Sequence, residues 1–239
     1  MARASHDPWT AVEAVADPLR HALRLAHAHE SARSGARVGA AIRPVVDRSW
    51  QRSAAAGVDP TTIRTGAPLD ADRLDARRAE HPLLAVRSTL SRVLRDLAAS
   101  APHVFAISDE HGILLWVDGP EDVVERASHE MAFEAGADWS ERAAGTNAVG
   151  TALAENHAVQ IFSAEHFRPA VHAWTCSGAP IHDPETGRVI GALDATADLR
   201  TVSPRTLPIV QAAARAAEIT LRARATERDA RLRQRALHR

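Results

Sequence analysis

The sequence contains no lysine and no tyrosine, so all 29 of its basic residues are arginine. A P-loop needs a lysine at the β- and γ-phosphates of its nucleotide, and a Schiff-base enzyme needs a lysine amine. The lack of lysine therefore excludes both classes of protein. Codon usage in a GC-rich genome is the explanation we prefer for the bias toward arginine.

Cysteine and long apolar runs are also scarce. Cys176 is the single cysteine, and one thiol cannot form an internal disulfide, so nothing points to an oxidising compartment. The segment from Met1 to Thr10 is polar and lacks the apolar core of a secretory signal. No apolar run approaches the roughly 20 residues that a membrane span needs. We therefore expect a cytoplasmic protein that makes no contact with a membrane.

The charges are balanced over the chain as a whole. Apolar residues make up 45% of the 239 residues, enough to bury a core, and a net charge of −1 gives no general attraction to nucleic acid. The run from Arg222 to Arg239 is a local exception, with seven arginines against Glu227 and Asp229. We interpret this run as a solvated or dimer-flanking helix. Contact with nucleic acid is the alternative, and such binding would weaken steeply with salt.

The first part of the chain has the pattern of helices. Asp17-Pro18 combines an N-cap with a proline at the first helical position, and this helix is predicted to end near Gly35. A second helical stretch stops near Gly57, and Pro44 starts or kinks it. Residues 58–80 are rich in Asp, Thr, Pro and Arg, and we predict that they form a connector.

The rest of the chain alternates between helical and strand-like patterns. A third helix is predicted from Pro82, because apolar residues follow it at three- and four-residue spacing up to Leu97. The pattern then predicts a hairpin at 103–117, helices at 121–134 and 147–155, strands at 158–162, 171–181 and 188–196, and a long final helix from Ser203.

These elements predict an α+β fold: an antiparallel sheet with helices on one face, preceded by an N-terminal helical region and followed by a long C-terminal helix. Such a sheet can leave its other face to form a pocket with long loops. Between Leu207 and Leu221 the apolar residues of the final helix alternate three and four apart, as in a coiled-coil seam. We therefore expect a homodimer that uses this helix.

Several short motifs occur in a fixed order along the chain. They are Asp47-Arg48-Ser49-Trp50-Gln51-Arg52-Ser53, the segment WSERAAGTNAVGTALAE from Trp139 to Glu155, Glu165-His166-Phe167, Trp174-Thr175-Cys176-Ser177, Ala179-Pro180-Ile181 and Gly191-Ala192-Leu193-Asp194. Together they resemble the N-terminal sensory region of bacterial enhancer-binding transcription activators of the acetoin-catabolism regulator type, over roughly residues 40–222. The resemblance implies a GAF domain that senses a small molecule and controls transcription with the alternative sigma factor.

The resemblance also bears on domain organisation. We predict an N-terminal helical region and connector at 1–80, a GAF sensory domain with flanking helices at 81–221, and an Arg-rich helical extension at 222–239. Activators of this type continue into an ATPase domain and a DNA-binding helix-turn-helix, whereas this sequence has no Walker lysine and stops at Arg239. The alternatives are a stand-alone sensor, a fragment of a longer regulator and a regulator that acts through a partner.

Two groups of residues are the main candidates for ligand contact. Gly145-Thr146-Asn147 precedes a helix, where it either caps free backbone amides or leaves them facing a ligand. Strand alternation places His172, Trp174 and Cys176 on one face, either as core or as pocket lining. Trp116 and Trp139 are predicted pocket walls, with core packing as the alternative. The full predicted ligand-binding set is Trp116, Trp139, Ser140, Glu141, Gly145, Thr146, Asn147, Thr151, Glu165, His166, His172, Trp174, Cys176 and Asp194.

We predict no catalytic residue, no metal site and no cofactor. Histidines, acids and the cysteine cluster between His157 and His182, but their spacing matches no zinc signature. Reduction of methionine sulfoxide, which some GAF proteins perform, needs a second thiol as resolving group. No Ser-His-Asp order with a nucleophile elbow occurs either. We therefore expect a protein that is not an enzyme.

The leading functional hypothesis is a regulatory module that senses an unidentified small metabolite and signals through a dimeric helical bundle. One alternative is a ligand-free GAF scaffold that binds a regulatory protein partner. The other is a metal or redox sensor built on Cys176 and the nearby histidines.

Overall fold

The computed structural model describes residues 7–11, 17–34, 42–63, 66–98 and 102–237. Its α-helices are α1 (Pro18–Arg33), α2 (Pro44–Ala55), α3 (Ala71–Glu80), α4 (Arg87–Ala98), α5 (Glu121–Met131), α6 (Glu141–Ala144), α7 (Ala148–Glu155) and α8 (Thr206–Leu237). Its strands are β1 (Val104–Asp109), β2 (Leu114–Asp118), β3 (Val159–Phe162), β4 (Trp174–His182) and β5 (Val189–Asp198).

Local sequence signals explain several of the helix starts. The Asp17 side chain accepts a hydrogen bond from the Arg20 backbone N–H at 3.0 Å, and proline follows at the first helical position of α1. Pro44 begins α2 and does not kink it. The Asp70 side chain caps α3 by accepting from the Arg73 N–H at 2.9 Å.

The described residues form an antiparallel five-stranded sheet in the order β2-β1-β5-β4-β3. β5 lies at its centre, where Asp194 pairs with Ala106 of β1 on one side and with Gly178 of β4 on the other. The turn between β1 and β2 uses Gly112 at a φ of 89°, a conformation that favours glycine. The sheet therefore carries its longest strands, β4 and β5, next to each other.

One face of the sheet packs against α4 and α8. Phe105 and Ile107 of β1 point to this face and join a buried cluster with Leu90 of α4 and Val210 of α8. The inner face of α8 is lined largely by small residues such as Ala214, which allow the helix to lie close to the strands. This face is an ordinary apolar core.

The opposite face is covered by α5 and α7, over which α1 and α2 pack. Val104 and Ala106 point to this side of β1 and belong to a second buried cluster. That cluster continues through Trp139 and Ala148 to Trp50 of α2. The N-terminal helices therefore share a core with the sheet.

The predicted α+β fold is confirmed, although both faces of the sheet carry helices. The prediction of a connector at 58–80 is wrong for Ala71–Glu80, which forms α3 around a single buried apolar residue, Leu74. The prediction of a strand from residue 171 is corrected to Trp174, because Pro169–Val171 forms a 3-10 turn. The predicted helix end at Gly35 lies outside the described residues, and the domain boundaries at 80 and 221 stay predictions.

The helix α8 runs for 32 residues, and its C-terminal half is largely exposed. Among the described residues, none of the helices combines the length and the apolar character that crossing a bilayer requires.

Candidate functional site

A short row of polar side chains lies on the α7 side of the two longest strands. Asp194 and Thr196 are two residues apart on β5 and share a face, and Cys176 of β4 pairs with Thr196 across the ladder. All three are buried, with Asp194 exposed by only 1%. A carboxyl, a hydroxyl and a thiol thus lie together in the protein interior.

One hydrogen bond within this row ends on the carboxyl. The Thr196 hydroxyl donates to Asp194 Oδ2 at 2.6 Å, and Cys176 lies opposite Thr196 on the neighbouring strand. Asp194 Oδ1 is buried and has no hydrogen-bond partner among the described residues. Because burial disfavours the charged form, it raises the pKa of Asp194 to about 7. The row therefore presents one carboxyl oxygen without a partner, which accepts a hydrogen bond when the carboxyl is ionised and can donate one when it is protonated.

The helix α7 meets the sheet beside this carboxyl. A Cβ added at Gly178, the β4 partner of Asp194, would lie 2.4 Å from the Ala148 carbonyl oxygen at the start of α7. On the other side, the β1 partner of Asp194 is Ala106. The carboxyl is consequently flanked on both neighbouring strands by residues no larger than alanine.

The loop before α7 is held by its own hydrogen bonds. Asn147 Oδ1 accepts from the Gly150 backbone N–H at 2.8 Å, so Asn147 is the N-cap of α7. Its Nδ2 donates to the carbonyl oxygens of Trp139 at 2.9 Å and Gly145 at 2.7 Å. Gly145 has a φ of 72° and packs against Phe167. Helix capping, one of the two interpretations of this segment, is thus present.

Glu141 connects this loop to α2. It is 7% exposed, and its carboxylate accepts from the hydroxyls of Ser49 at 2.5 Å and Thr151 at 2.8 Å and from the guanidinium of Arg52 at 2.6 Å. The Ser49 hydroxyl also lies within hydrogen-bond distance of the Thr146 hydroxyl, at 2.7 Å. Arg52 bonds Glu155 at the end of α7 as well, and these carboxylates raise its pKa above the usual range. The predicted residues Glu141, Thr146 and Thr151 therefore bind α2.

Glu165 forms the second attachment of the N-terminal region. Its carboxylate accepts two hydrogen bonds from Arg43, at 2.7 and 2.6 Å, and one from the Phe162 backbone N–H at 2.9 Å. The Trp50 indole N–H donates to the Glu165 carbonyl oxygen at 2.7 Å. Both side chains of the ion pair are nearly buried, with 11% exposure for Arg43 and 2% for Glu165.

The predicted histidines lie next to this attachment. His166 Nδ1 donates to the Ser163 carbonyl oxygen at 2.8 Å, and His172 Nε2 donates to the His166 carbonyl oxygen at 3.1 Å. Burial lowers the pKa of His166 to about 3 and that of His172 to about 4, where nearby His29 adds to the effect. Both rings are therefore neutral near pH 7 and help to shape the loop.

The three predicted tryptophans do not lie together. Trp139 and Trp174 belong to the same cluster on the α7 side of the sheet, and the Trp174 indole N–H donates to Glu130 of α5 at 2.9 Å. Trp116 belongs to the cluster on the α8 side. Ser140, the remaining predicted residue, precedes α6 and packs against the Gly112 turn.

Trp116 lines a surface cavity of about 640 Å³ beneath α4, together with Arg87, Leu94, Phe105 and Ile107. Neither this cavity nor three others on the surface includes another predicted ligand residue in the walls that the structure describes. The group around Asp194 lies in the interior.

Neither the grouping of potential metal ligands nor the state of the Cys176 thiol supports the alternative of a metal or redox sensor. Within the described ranges, no three His, Cys, Asp or Glu side chains are grouped as a metal ion requires. Burial raises the pKa of the Cys176 thiol, which keeps it protonated, whereas a reactive thiol needs the thiolate form.

Sequence reasoning missed Thr196 and the partners in the N-terminal region, namely Ser49 and Arg52 on α2 and Arg43 just before it. Thr196 is two residues after Asp194, a spacing that puts both side chains on one face of a strand. Strand alternation could therefore have predicted that Thr196 lies beside Asp194. Ser49 and Arg52 fall within the quoted Asp47–Ser53 motif and Arg43 lies four residues before it, but the acidic partners of these residues are about 90 to 120 residues away in sequence. That pairing requires the tertiary fold.

Known proteins of the same fold and family match this chain. The GAF-like fold is shared with Escherichia coli DhaR(N) as solved in the DhaR(N)-DhaL complex, with a TM-score of 0.74 and 19% identity over 82% of this chain and 66% of that one. A family model described as the MimR N-terminal domain matches residues 22–219. The chain belongs to this family.

Its relatives include regulators that are longer than the chain. It is 43% identical over 225 residues to an uncharacterized 47.3 kDa protein in the thcA 5' region of Rhodococcus erythropolis, covering 91% of this chain and 51% of that protein. It is 33% identical over 192 residues to the Bacillus subtilis acetoin dehydrogenase operon transcriptional activator AcoR, covering 80% and 31%. For the Mycolicibacterium goodii propane 2-monooxygenase operon transcriptional activator MimR the values are 30% over 183 residues, covering 76% and 30%. The chain thus spans about half or less of these relatives, and the resemblance to regulators of the acetoin type is confirmed.

Proposed function

We propose that this chain is the small-molecule-sensing region of a bacterial transcription activator and acts without catalysis. Its family membership and its relatives among operon activators support the regulatory part of this proposal. The sensing part is supported by the interior site around Asp194. The chemical identity of the metabolite is a separate question.

The observation that carries the proposal is the buried Asp194 carboxyl with an unpartnered oxygen. A buried polar group without a hydrogen bond costs roughly 1–3 kcal/mol, so a fold gains nothing by keeping one. Such a group is expected where a guest molecule supplies the partner. Small flanking residues and the two tryptophans of the same cluster suit a mostly apolar ligand.

Two elements are placed to report on ligand binding. α7 contacts β4 at Gly178 and is joined to α2 through Thr151 and Glu141. α8 packs along β4 on the opposite face. A ligand beside Asp194 that favours one position of α7 would shift both contacts, because coupling needs only a difference in affinity between two states.

We further propose that α8 forms part of a homodimer bundle. Ile219 on α8 is 70% exposed and Leu84, in the turn before α4, is 46% exposed. A helix pair from each of two copies would cover both side chains.

The test is a thermal-shift screen with small alcohols, ketones, aromatics and organic acids on the purified chain. We expect one class to raise the Tm by about 5–10 °C at a hundredfold excess over Kd, from a linkage free energy of about 2.7 kcal/mol. Tryptophan emission should change with the same concentration dependence. If none of the four classes of compound gives a saturable response, the proposal that this site senses a small molecule is contradicted.

Matched tryptophan variants locate the response. Trp139→Phe, on the α7 side of the sheet, should remove most of the ligand-induced change in emission. Trp116→Phe, on the α8 side, should leave it in place. The reverse result would move the site to the cavity beneath α4.

A further inference from the structure

The cavity beneath α4 lies on the opposite face of the sheet from Asp194. Its volume of about 640 Å³ falls within the roughly 300–1,000 Å³ that is usual for small-molecule sites. The residues that line it come from α4, from both strands of the β1–β2 hairpin and from the turn after β2. In the walls that the structure describes, it shares no residue with the polar row on β4 and β5. It is therefore a separate candidate site.

The inner wall of this cavity is apolar and partly aromatic. Its side chains each keep 3–4% of their surface exposed, and they are Leu94 of α4, Phe105 and Ile107 of β1, and Trp116 of β2. Two aromatic side chains in one wall favour a planar aromatic guest, because aromatic rings attract one another beyond the burial of their area.

The mouth of the cavity carries charged and polar side chains. Arg87, Ser88 and Ser91 belong to α4, and Asp118 lies at the end of β2. Arg87 and Asp118 are each about half exposed. The guanidinium carbon of Arg87 lies 5.5 Å from the centroid of the Trp116 ring, so a cation is positioned directly over the aromatic wall.

The donors of Arg87 are available to a ligand. Within the described part of the chain its guanidinium donates no hydrogen bond, and the ion-pair partner Asp118 Oδ1 lies 3.9 Å away, beyond hydrogen-bond distance. The indole N–H of Trp116 has no hydrogen-bond partner among the described residues either. Donors thus outnumber acceptors in this cavity.

These groups select a ligand that carries a carboxylate next to an aromatic ring. A guanidinium can bind a carboxylate through two parallel hydrogen bonds, and the hydroxyls of Ser88 and Ser91 can donate to the same oxygens. An ammonium ligand would be repelled by Arg87. Asp118 competes with a bound carboxylate for Arg87, but an exposed pair without a hydrogen bond is a weak competitor.

We infer that the cavity beneath α4 is a second ligand site, which binds a small aromatic carboxylate with its acid group on Arg87 and its ring against Trp116 and Phe105. This site is additional to the sensory site proposed around Asp194, and neither site requires the other. Arg87 recognises the acid group, and Asp118 limits the affinity.

The experiment compares benzoate, phenylacetate and 3-phenylpropionate with the amide and the amine of each carbon skeleton, on the purified chain at pH 7. Binding is followed by isothermal titration calorimetry and by tryptophan emission. We expect at least one carboxylate to bind saturably and roughly tenfold more tightly than its amide and its amine, because hydrogen bonds between two ions are stronger than neutral ones. An amide or an amine that binds as tightly as its acid overturns the inference. Absence of saturable binding by all three acids overturns it as well.

Three variants of exposed charges test the assignment of residues. Arg87→Met should weaken carboxylate binding by roughly tenfold or more, because it removes the cation and its donors. Asp118→Asn removes the competing charge and should strengthen carboxylate binding about threefold. Arg92→Met, at an exposed position of α4 outside the described lining, should leave binding unchanged. The inference is overturned if Arg87→Met binds the acids as tightly as the wild type, or if Asp118→Asn binds them less tightly.

The tryptophan variants separate this site from the proposed sensory site. A response that Trp116→Phe removes and Trp139→Phe retains belongs to the cavity beneath α4. If the acids do not bind and another compound responds through Trp139, this inference fails and the sensing proposal stands. If the acids bind through Trp116 and no compound responds through Trp139, this inference stands and sensing beside Asp194 fails.

Discussion

The two faces of the sheet are built on different principles. The α4 and α8 face is an apolar core whose buried side chains are mostly aliphatic or aromatic. The α7 face adds to its apolar cluster a layer of buried acids and hydroxyls and of partly exposed arginines that link it to α2 and to Arg43 just before α2. One face therefore rests on the hydrophobic effect, and the other depends on donors and acceptors that have to match.

This difference means that the contacts of the two faces differ in how strongly they depend on the exact position of the packed helices. An apolar face tolerates small shifts, because its contacts are not directional. A polar layer is sensitive to position, since a displaced partner leaves a buried group unsatisfied at a cost of roughly 1–3 kcal/mol. The face that carries the proposed ligand site is thus the one whose contacts would change most with a small movement of α7.

The largest expected effect comes from Gly178→Val. Its Cβ would lie 2.4 Å from the Ala148 carbonyl oxygen, and backbone atoms cannot move away as a flexible side chain can. We expect a loss of about 4 kcal/mol in the free energy of unfolding, together with the ligand response, measured by urea denaturation and the Tm screen. Thr175→Val, on the same strand but facing α8, removes a hydroxyl without a partner and should be neutral or stabilising. If Gly178→Val is as stable as the wild type, the start of α7 does not pack against Gly178 as described.

A smaller loss is expected from Arg43→Met. The variant leaves Glu165 buried and without its cation, which should cost about 3 kcal/mol in unfolding free energy. Arg48→Met provides the control, because the Arg48 side chain is 48% exposed and its pair with Glu155 should contribute less than about 1 kcal/mol. Equal effects of the two variants would mean that the N-terminal helices are not anchored through Glu165.

On the apolar face, Val210→Ala should cost about 2–3 kcal/mol, because it removes two methyl groups from a fully buried site. The ligand response of Val210→Ala should nevertheless remain. After correction for the lower Tm of the variant, its dependence on ligand concentration should equal that of the wild type. A shift in apparent affinity of tenfold or more would show that the two faces are not separable.

The smallest effect is the pH dependence contributed by Asp194. Its folded pKa of about 7 lies above the usual value for an unfolded aspartate, so between these values the folded state holds a proton that the unfolded state has released. The stability of the wild type should therefore fall as pH rises, by about 1–2 kcal/mol between pH 6 and pH 8. Asp194→Asn should lack this component in urea denaturation at the two pH values. A parallel pH dependence in both proteins would contradict an ionisable, buried Asp194.

Local signals in the sequence predict much of the fold. Asp17-Pro18 and Asn147 mark helix starts that the structure confirms, and strand alternation puts Trp174 and Cys176 on one face. The helix α3 is not predicted, because a helix with one buried apolar residue lacks the regular spacing of apolar residues that indicates a helix.

The site was less predictable than the fold. The sequence predicts ligand contacts for Glu141, Thr151 and Glu165, and the structure gives their side chains hydrogen-bond partners on α2 or at its preceding residue Arg43. Sequence motifs identify polar residues that form specific hydrogen bonds, but they do not identify the partners of those bonds. Trp116 is on the other face of the sheet from Trp139, a relation that depends on the strand register between β1 and β2.

The projecting end of α8 has a mechanical consequence. From Leu221 to Leu237 the helix extends roughly 24 Å at the standard rise per residue. A tilt of about 10° where α8 rests on β4 would swing its tip by roughly 4 Å, about the width of one side chain. In the proposed sensor, this helix end would act as a lever arm, because a rearrangement too small to expose any core residue would displace the tip by several ångströms.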